Sequence, residues 1–224
     1  MTANELREEL EEELRWRQEE LAFFKNQLSN INSEEDSCRY RKSLVFLLYS
    51  HFEGYVKIAL QTYIKYLNSL SLYQRDVIPA LAAAGMHKEF LAYENLDKKC
   101  SVFRTRLPDD TSLHRFYRRV DFIEQMDEFQ NKILHLDDTL IDTESNLWYI
   151  VLQKNLYKLG LSITVFEEHS SDIDALVNRR NSIAHGNSRA GVTEAEFSKW
   201  KIKFIECYLT LLDCCMIMRI IKDT

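Results

Sequence analysis

Glycine and proline are scarce in this chain, and their scarcity restricts the fold more than any other feature. There are five glycines and two prolines in 224 residues. Tight turns between strands depend on these residue types, whereas helix interiors exclude them. Because 46% of the residues are apolar, the chain also has enough hydrophobic side chains for a large core. We therefore expect an all-α protein, folded as a single domain over residues 1–224.

Apolar periodicity and capping residues predict two long helices in the first third of the chain. The first runs from Asn4 to about Ser29, on the spacing of Leu6, Leu10, Leu14, Leu21, Phe24 and Leu28. Ser33 and Asp36 resemble a capping box and open the second. Its centre, Leu44–Leu67, is apolar around most of its circumference and should form the spine of the core. A glycine inside it, Gly54, indicates the close approach of a neighbouring helix.

The middle of the chain, roughly residues 69–144, predicts an insertion of short helices. Pro79 opens one of them and Gly85 ends it. Cations are concentrated in its second half: Lys98, Lys99, Arg104, Arg106, Arg115, Arg118 and Arg119. Since the whole chain has a formal charge of −6, this concentration is a candidate phosphate-facing surface, with a merely solvated face as the equal alternative.

Within that region, cations alternate with aromatic residues between His114 and Arg119. Arg115, Arg118 and Arg119 are therefore candidate RNA contacts, beside aromatic rings that can stack on exposed bases. The favoured alternative is a helix that packs Phe116 and Tyr117 into the core and leaves its arginines in water.

Three further helices are predicted towards the C-terminus. The first covers Ser145–Leu159. Ser170 or Ser171 with Asp174 caps the next, which runs to about His185 and is ended by Gly186 and Asn187. Thr193 with Glu196 forms a second capping box and opens the last helix.

The helix that ends at His185 carries the candidate chemistry. A core stripe is formed by Ile173, Leu176, Val177, Ile183 and Ala184. At about 100° per residue, Asn181 and His185 share another face, with Arg180 on its shoulder. A guanidinium suits phosphate, and an imidazole can hold or release a proton near pH 7. These groups match the needs of metal-independent RNA cleavage by a 2′-hydroxyl, although a histidine at a helix end more often satisfies the helix dipole.

Other classes of site find little support. Five cysteines, with no CxxC pair, indicate free thiols, and the histidines lack metal-ligand spacing, so we expect no metal or cofactor. The acidic N-terminus has no signal core, and no stretch approaches the roughly 18 apolar residues of a membrane span. These features predict a soluble, cytoplasmic protein without membrane contact.

Two segments resemble a known family. The string RRNSIAHG, which contains Arg180 and His185, resembles the Arg-x4-6-His motif of the HEPN superfamily, and Asn181 matches its polar residue after the arginine. Upstream, Lys42–Lys57 is similar to the aromatic-Glu-Gly-aromatic helix of the MAE-type HEPN-like nucleases. A HEPN branch that is silenced by a nucleotidyltransferase antitoxin carries a tyrosine two residues after the motif histidine. Asn187 occupies that place here, so such control is not expected.

The resemblance implies a helical bundle that pairs as a homodimer with a composite RNA-cutting cleft. Arg180 and His185 would then be catalytic, with Asn181 as a polar orienter. Ser182 is a candidate supporting residue, as is Glu53, for which a buried glutamate satisfied by a structural partner is the equal alternative. RNA would be the substrate, and an antitoxin or a defence-system protein a further partner, as for toxins and antiphage effectors. Two alternatives stay open: a non-catalytic module that binds RNA, a nucleotide or a partner, and a purely structural dimerisation bundle.

Overall fold

Helices account for all the regular structure in the part of the chain that the structure describes. The computed structural model describes residues 1–102, 111–187, 189–216 and 220–221. Within them lie α1 Ala3–Asn26, α2 Glu34–Ser69, α3 Pro79–Gly85, α4 His87–Glu94, α5 Thr111–Glu124, α6 Met126–Gln130, α7 Tyr149–Lys158, α8 Ser170–Ala184 and α9 Glu194–Met216. Two isolated bridges, Tyr73 with Ile133 and Val77 with Ile221, are the extended pairings of these ranges. The all-α prediction is confirmed.

The long helix α2 is the centre of the core, as its apolar circumference predicts. It contacts α1, α8 and α9, while α9 also packs on α1 and α8. Tyr55, Ala59 and Leu60 of α2 are fully buried. Aromatic rings join α2 to α9, with Phe52 4.6 Å from Phe204 between ring centres. Burial of this many apolar side chains on one helix fixes it between its neighbours.

The predicted bounds of the first two helices agree with the structure. Thr2 and Glu5 form a reciprocal capping box at the start of α1. A short 3-10 turn over Gln27–Asn30 follows α1, and Ser33 then caps α2 by accepting a hydrogen bond from the Asp36 amide at 3.3 Å. Both caps satisfy amide groups that the first turn of a helix leaves without an intrahelical partner.

Gly54 marks the predicted close approach of a neighbouring helix. A Cβ at this position would lie 3.4 Å from Nη2 of Arg17, which is a buried residue of α1. The Arg17 guanidinium is paired with Glu13 at 3.1 Å and lies 4.2 Å from the centre of the Trp16 ring. The glycine therefore leaves room for a charged group that is held within α1.

Between α2 and α7 the chain forms the short helices α3 to α6, within the predicted insertion. Pro79 is the first residue of α3 and Gly85 the last, as expected. The favoured placement of Phe116 in the core is wrong, because this ring is 62% exposed on α5. Tyr117 is half-buried, and its hydroxyl lies 3.0 Å from that of Ser101.

The start of α8 differs from the prediction, and the difference shapes the site. Ser170 is the first residue of α8 and its hydroxyl donates to the Glu167 carbonyl, so it does not cap the helix. The Asp174 carboxylate instead accepts a hydrogen bond at 2.9 Å from the amide of Tyr149, the first residue of α7. A carboxylate at this place satisfies a free amide and interacts well with the positive end of α7. Asp174 thus fixes α7 against α8.

The last helix begins where the second capping signal places it. Thr193 accepts a hydrogen bond from the Glu196 amide at 3.2 Å, while the Glu196 carboxylate pairs with Arg179 of α8 at 3.5 Å. Arg41 of α2, which is buried, pairs with Glu194 of α9 at 3.1 Å. These pairs hold the start of α9 against the two helices that carry the candidate site.

Candidate active site

The C-terminal end of α8 places the motif residues, and its termination has a clear local cause. Gly186 adopts a left-handed φ of 70°. Its amide donates to the Ile183 carbonyl at 3.0 Å, and the Asn187 amide donates to the Ser182 carbonyl at 2.9 Å. This pair of bonds is a Schellman motif, which satisfies carbonyls that the helix end leaves free. The predicted stop at Gly186 and Asn187 is confirmed.

The core stripe of α8 is shorter than predicted. Ile173, Leu176 and Val177 are buried, and Ile183 packs partly against the core. Ala184 is exposed, contrary to the prediction, because the helix leaves the bundle in its last turn. The residues that carry polar chemistry are therefore placed at the edge of the bundle.

Arg180 has its guanidinium fixed on three sides. Its Nη1 donates hydrogen bonds to the side-chain oxygens of Asn181 at 2.8 Å and Asn146 at 3.1 Å. Its Cζ lies 4.8 Å from the centre of the Tyr49 ring, a cation–π contact. These partners are all neutral, so they orient the guanidinium without neutralising its charge.

Two of these partners, Tyr49 and Asn146, were not among the predicted site residues. Tyr49 precedes Glu53 by one turn of α2, a spacing that could have pointed to it. Asn146 comes from the segment before α7 and carries no motif. The chain is held directly after Asn146: Leu147 donates its amide to the Tyr49 hydroxyl at 2.9 Å, and Tyr149 donates its amide to Asp174.

Tyr49 is buried, and it stays a neutral phenol. Burial, followed by the nearby Glu53 carboxylate, raises the pKa of Tyr49 to about 12, although the Leu147 amide and Arg180 act in the opposite direction. A phenol that is protonated across the physiological range offers its ring face to Arg180 and its oxygen to Leu147. Tyr49 therefore links α2, the segment before α7, and the motif arginine.

Arg180 lies in the wall of an open groove of about 480 Å³ between α2 and α8. The groove is lined by Ser43, Phe46, Leu47, Tyr49, Ser50, Glu53 and Arg180. Glu53 is half-buried, and the structure brings it to the same groove as Arg180, as the sequence suggested for a supporting residue. The groove thus combines a fixed cation, a carboxylate and two serine hydroxyls with an apolar floor.

His185 is the C-cap of α8 and its side chain is exposed. The described residues offer its imidazole no hydrogen bond or ion pair, and it is not among the residues that line the groove. Ser182 is half-buried and contributes its carbonyl to the helix stop. Within one chain, therefore, Arg180 and Glu53 share a groove, while His185 faces outwards beside it.

The three candidate RNA-binding arginines of α5 differ in their surroundings. Arg115 and Arg119 are exposed. Arg118 is buried and its Nη1 donates to the Lys98 carbonyl at 3.3 Å, so it serves the packing of the insertion. Arg104 and Arg106, which belong to the same predicted cationic region, lie outside the described residues.

Within the described ranges, no group of three or more His, Cys, Asp or Glu side chains is placed to hold a metal ion. The five cysteines are free thiols. No helix in the described part of the chain combines the length and the apolar character that a membrane crossing needs.

Comparison with known families agrees with the helical bundle. A family model described as RiboL-PSP-HEPN matches residues 12–218. Neither the comparison with curated proteins nor the one with solved structures gave a significant match. The family match confirms the resemblance to the HEPN superfamily, and the MAE-type subgroup stays a prediction. Because the match spans nearly the whole chain, the chain belongs to the RiboL-PSP-HEPN family of HEPN proteins.

Proposed function

We propose that this protein is a metal-independent endoribonuclease in which Arg180 and His185 are the catalytic residues. HEPN domains are generally ribonucleases or RNA-binding modules, which sets the class of substrate. The observation that carries the proposal is the Arg180 guanidinium, fixed by Asn146, Asn181 and Tyr49 in the wall of an open groove. A cation that is oriented before the substrate binds stabilises transition-state charge with little reorganisation.

The chemistry needs one base, one acid and one cation. A ribose 2′-hydroxyl loses its proton to a base and attacks the adjacent phosphorus, and the bond to the 5′-oxygen breaks as an acid protonates that oxygen. The products are a 2′,3′-cyclic phosphate and a free 5′-hydroxyl. Arg180 stabilises the phosphorane charge, and His185 supplies an imidazole as the proton-transfer group.

A homodimer with a composite cleft supplies both proton-transfer groups. His185 is exposed at the end of α8, outside the groove of its own chain. If two α8 ends meet about a two-fold axis, one His185 takes the 2′-hydroxyl proton and His185 of the partner subunit protonates the leaving oxygen. In this arrangement Asn181 orients Arg180, and Glu53 and Ser182 support the site.

Substitution of the two catalytic residues tests the proposal. Arg180→Ala and His185→Ala should each abolish cleavage of RNA by the purified protein while the melting temperature stays near that of the wild type. Matched controls are Arg189→Ala and His87→Ala, which remove an exposed residue of the same type and should retain cleavage. Addition of EDTA should leave the wild-type rate unchanged. Full cleavage by both site variants would refute the assignment.

We further propose that the activity serves a toxin or an antiphage effector, held in check by a partner protein. Expression of the wild type should then arrest growth, whereas the Arg180→Ala variant should not. The second candidate function is a binding module, favoured by one observation: the described residues give the His185 imidazole no partner that would orient it. Wild-type protein that binds RNA and never cuts it, over many substrates, would establish this second function.

A further inference from the structure

Helix α5 exposes one apolar stripe to solvent, while its Phe122 packs against Phe90 and Phe129 on another side. Phe116, Val120 and Ile123 are 62%, 36% and 70% exposed, whereas His114 and Arg118 on the opposite side are 8% and 7% exposed. We call the three exposed residues the α5 stripe. Large apolar side chains that are grouped on a surface in this way mark an interaction site.

Hydrogen bonds on the inner side of α5 fix this orientation. His114 Nδ1 accepts from the Cys100 amide at 3.1 Å, and Arg118 donates to the Lys98 carbonyl at 3.3 Å. Lys98 in turn pairs with Asp121 at 2.5 Å. Rolling the helix to bury the stripe would break all of these bonds, and each broken bond would leave a polar group without a partner. The stripe is therefore held outwards by the fold.

The spacing of the stripe matches a helix–helix seam. Its residues are separated by four and then three positions, the alternation that places side chains at the core of a coiled coil. Arg119 and Glu124 flank the stripe on opposite sides. In a parallel pair, a residue on one flank meets the residue five positions later on the other chain. Arg119 would then face Glu124 of the partner subunit, and the two-fold axis repeats this contact.

We propose that the α5 stripe is a contact surface for a second copy of this chain, with the two α5 helices parallel. The flanking charges favour this occupant, because Arg119 and Glu124 carry opposite signs on the two sides of the stripe and a second copy presents the same two signs in the complementary order. The surface is separate from the Arg180 groove, and the proposal goes beyond RNA cleavage. It does not depend on whether the protein cuts RNA.

A cysteine placed in the stripe tests the proposal directly. In the parallel pair, equivalent stripe residues of the two copies are neighbours, so Ile123→Cys should form an intermolecular disulfide under mild oxidation. The matched control is Ile202→Cys on α9, since Ile202 is also an exposed isoleucine at 57%. The unsubstituted chain, which has five cysteines of its own, gives the background. The read-out is the covalent dimer on a non-reducing gel.

Charge exchange then tests the register. In the Ile123→Cys background, Arg119→Glu or Glu124→Arg should each slow cross-linking about fivefold, because like charges would face each other. The double exchange should restore the rate. No cross-link above the Ile202→Cys control, or two single exchanges without effect, would overturn the proposal. Loss of RNA binding in Arg119→Glu without any cross-link would overturn it in favour of RNA as the occupant.

Discussion

Arg180 depends on neighbours that carry no motif of their own. Its guanidinium is held by the amide oxygens of Asn146 and Asn181 and by the face of the Tyr49 ring. Asn181 comes from the motif itself, but Asn146 reaches the site because Leu147 and Tyr149 are tied to α2 and α8. The orientation of the motif arginine is thus a product of tertiary structure.

The first prediction concerns Asn146 as a positioning residue. Asn146→Ala should lower kcat for RNA cleavage by roughly 10- to 100-fold, since a hydrogen bond to a charged group contributes about 1.5–3 kcal/mol. Asn146→Asp keeps an acceptor oxygen but places a negative charge beside Arg180, which would neutralise the guanidinium, so this variant should lower kcat at least as much. Asn178→Ala, an exposed asparagine of α8, is the control. An unchanged kcat in Asn146→Ala would show that the hydrogen bond to Asn146 is not needed to orient the Arg180 guanidinium.

The second prediction concerns pH and His51, a buried residue of α2. Burial lowers the pKa of His51 below 6.5, although Glu20, 3.1 Å away, opposes the shift, and Arg17 adds to it. As the pH falls through 6.5, the unfolded chain takes up a proton before the folded chain does, so the folded state loses stability. This contribution is fully present above that pH.

Urea denaturation at pH 7.5, 6.5 and 5.5 can check the effect of His51. The midpoint of the wild type should fall with pH, and His51→Asn should show a smaller fall over the same range. His87→Asn, at an exposed histidine, should behave like the wild type. Parallel curves for His51→Asn and the wild type would show that other groups cause the loss.

At the scale of elements, local signals predict where helices begin and end better than what those helices contact. Gly186 ends α8 as expected, because few other residues adopt its left-handed φ. Asp174 was expected to support the start of α8, yet it caps α7 instead. A capping side chain can serve any free amide within reach, and the choice depends on the tertiary contact between α7 and α8.

The orientation of α5 could not be predicted for the same reason, because it depends on tertiary contacts. The alternation of cations and aromatic rings indicated a helix, but it could not show which side faces the bundle. Phe116 was expected inside on the grounds of hydrophobicity alone. The side that packs carries Phe122, whose ring stacks on Phe90, together with His114 and Arg118, which have hydrogen-bond partners in the preceding segment. Which groups meet on this side depends on the path of the chain in three dimensions, and no periodic pattern in the sequence indicates it.

The third prediction tests the helix stop that presents His185. Gly186→Ala should lower the free energy of unfolding by about 1–2 kcal/mol, because the left-handed conformation strains a residue with a Cβ. A Cβ there would meet no atom within 4 Å, so crowding adds nothing. Gly186→Asn should cost less, since asparagine tolerates this conformation. Denaturant titration of the three proteins measures the differences, and equal stabilities would contradict the argument.

At the scale of the whole molecule, the residues that form the core and the residues of the candidate site occupy different parts of the fold. Helices α1, α2, α8 and α9 pack against one another and α7 adds buried leucines to the same core, while the candidate site is built at the edge where α8 leaves it. The formal charge of −6 does not favour general binding of RNA, so a groove with one fixed arginine must make the contact locally. A second chain would double the number of cations and imidazoles around one phosphate.

The last prediction follows from that doubling. If the cleft is composite and both His185 imidazoles transfer protons, a heterodimer of one wild-type and one His185→Ala subunit should cleave RNA at far less than half the wild-type rate, because its single cleft has lost either the base or the acid. The two subunits are co-expressed with different affinity tags, and the doubly tagged species is isolated. If each subunit instead contains a complete site of its own, the wild-type subunit of the heterodimer keeps its activity. A rate near half that of the wild-type dimer would therefore indicate an independent site in each subunit.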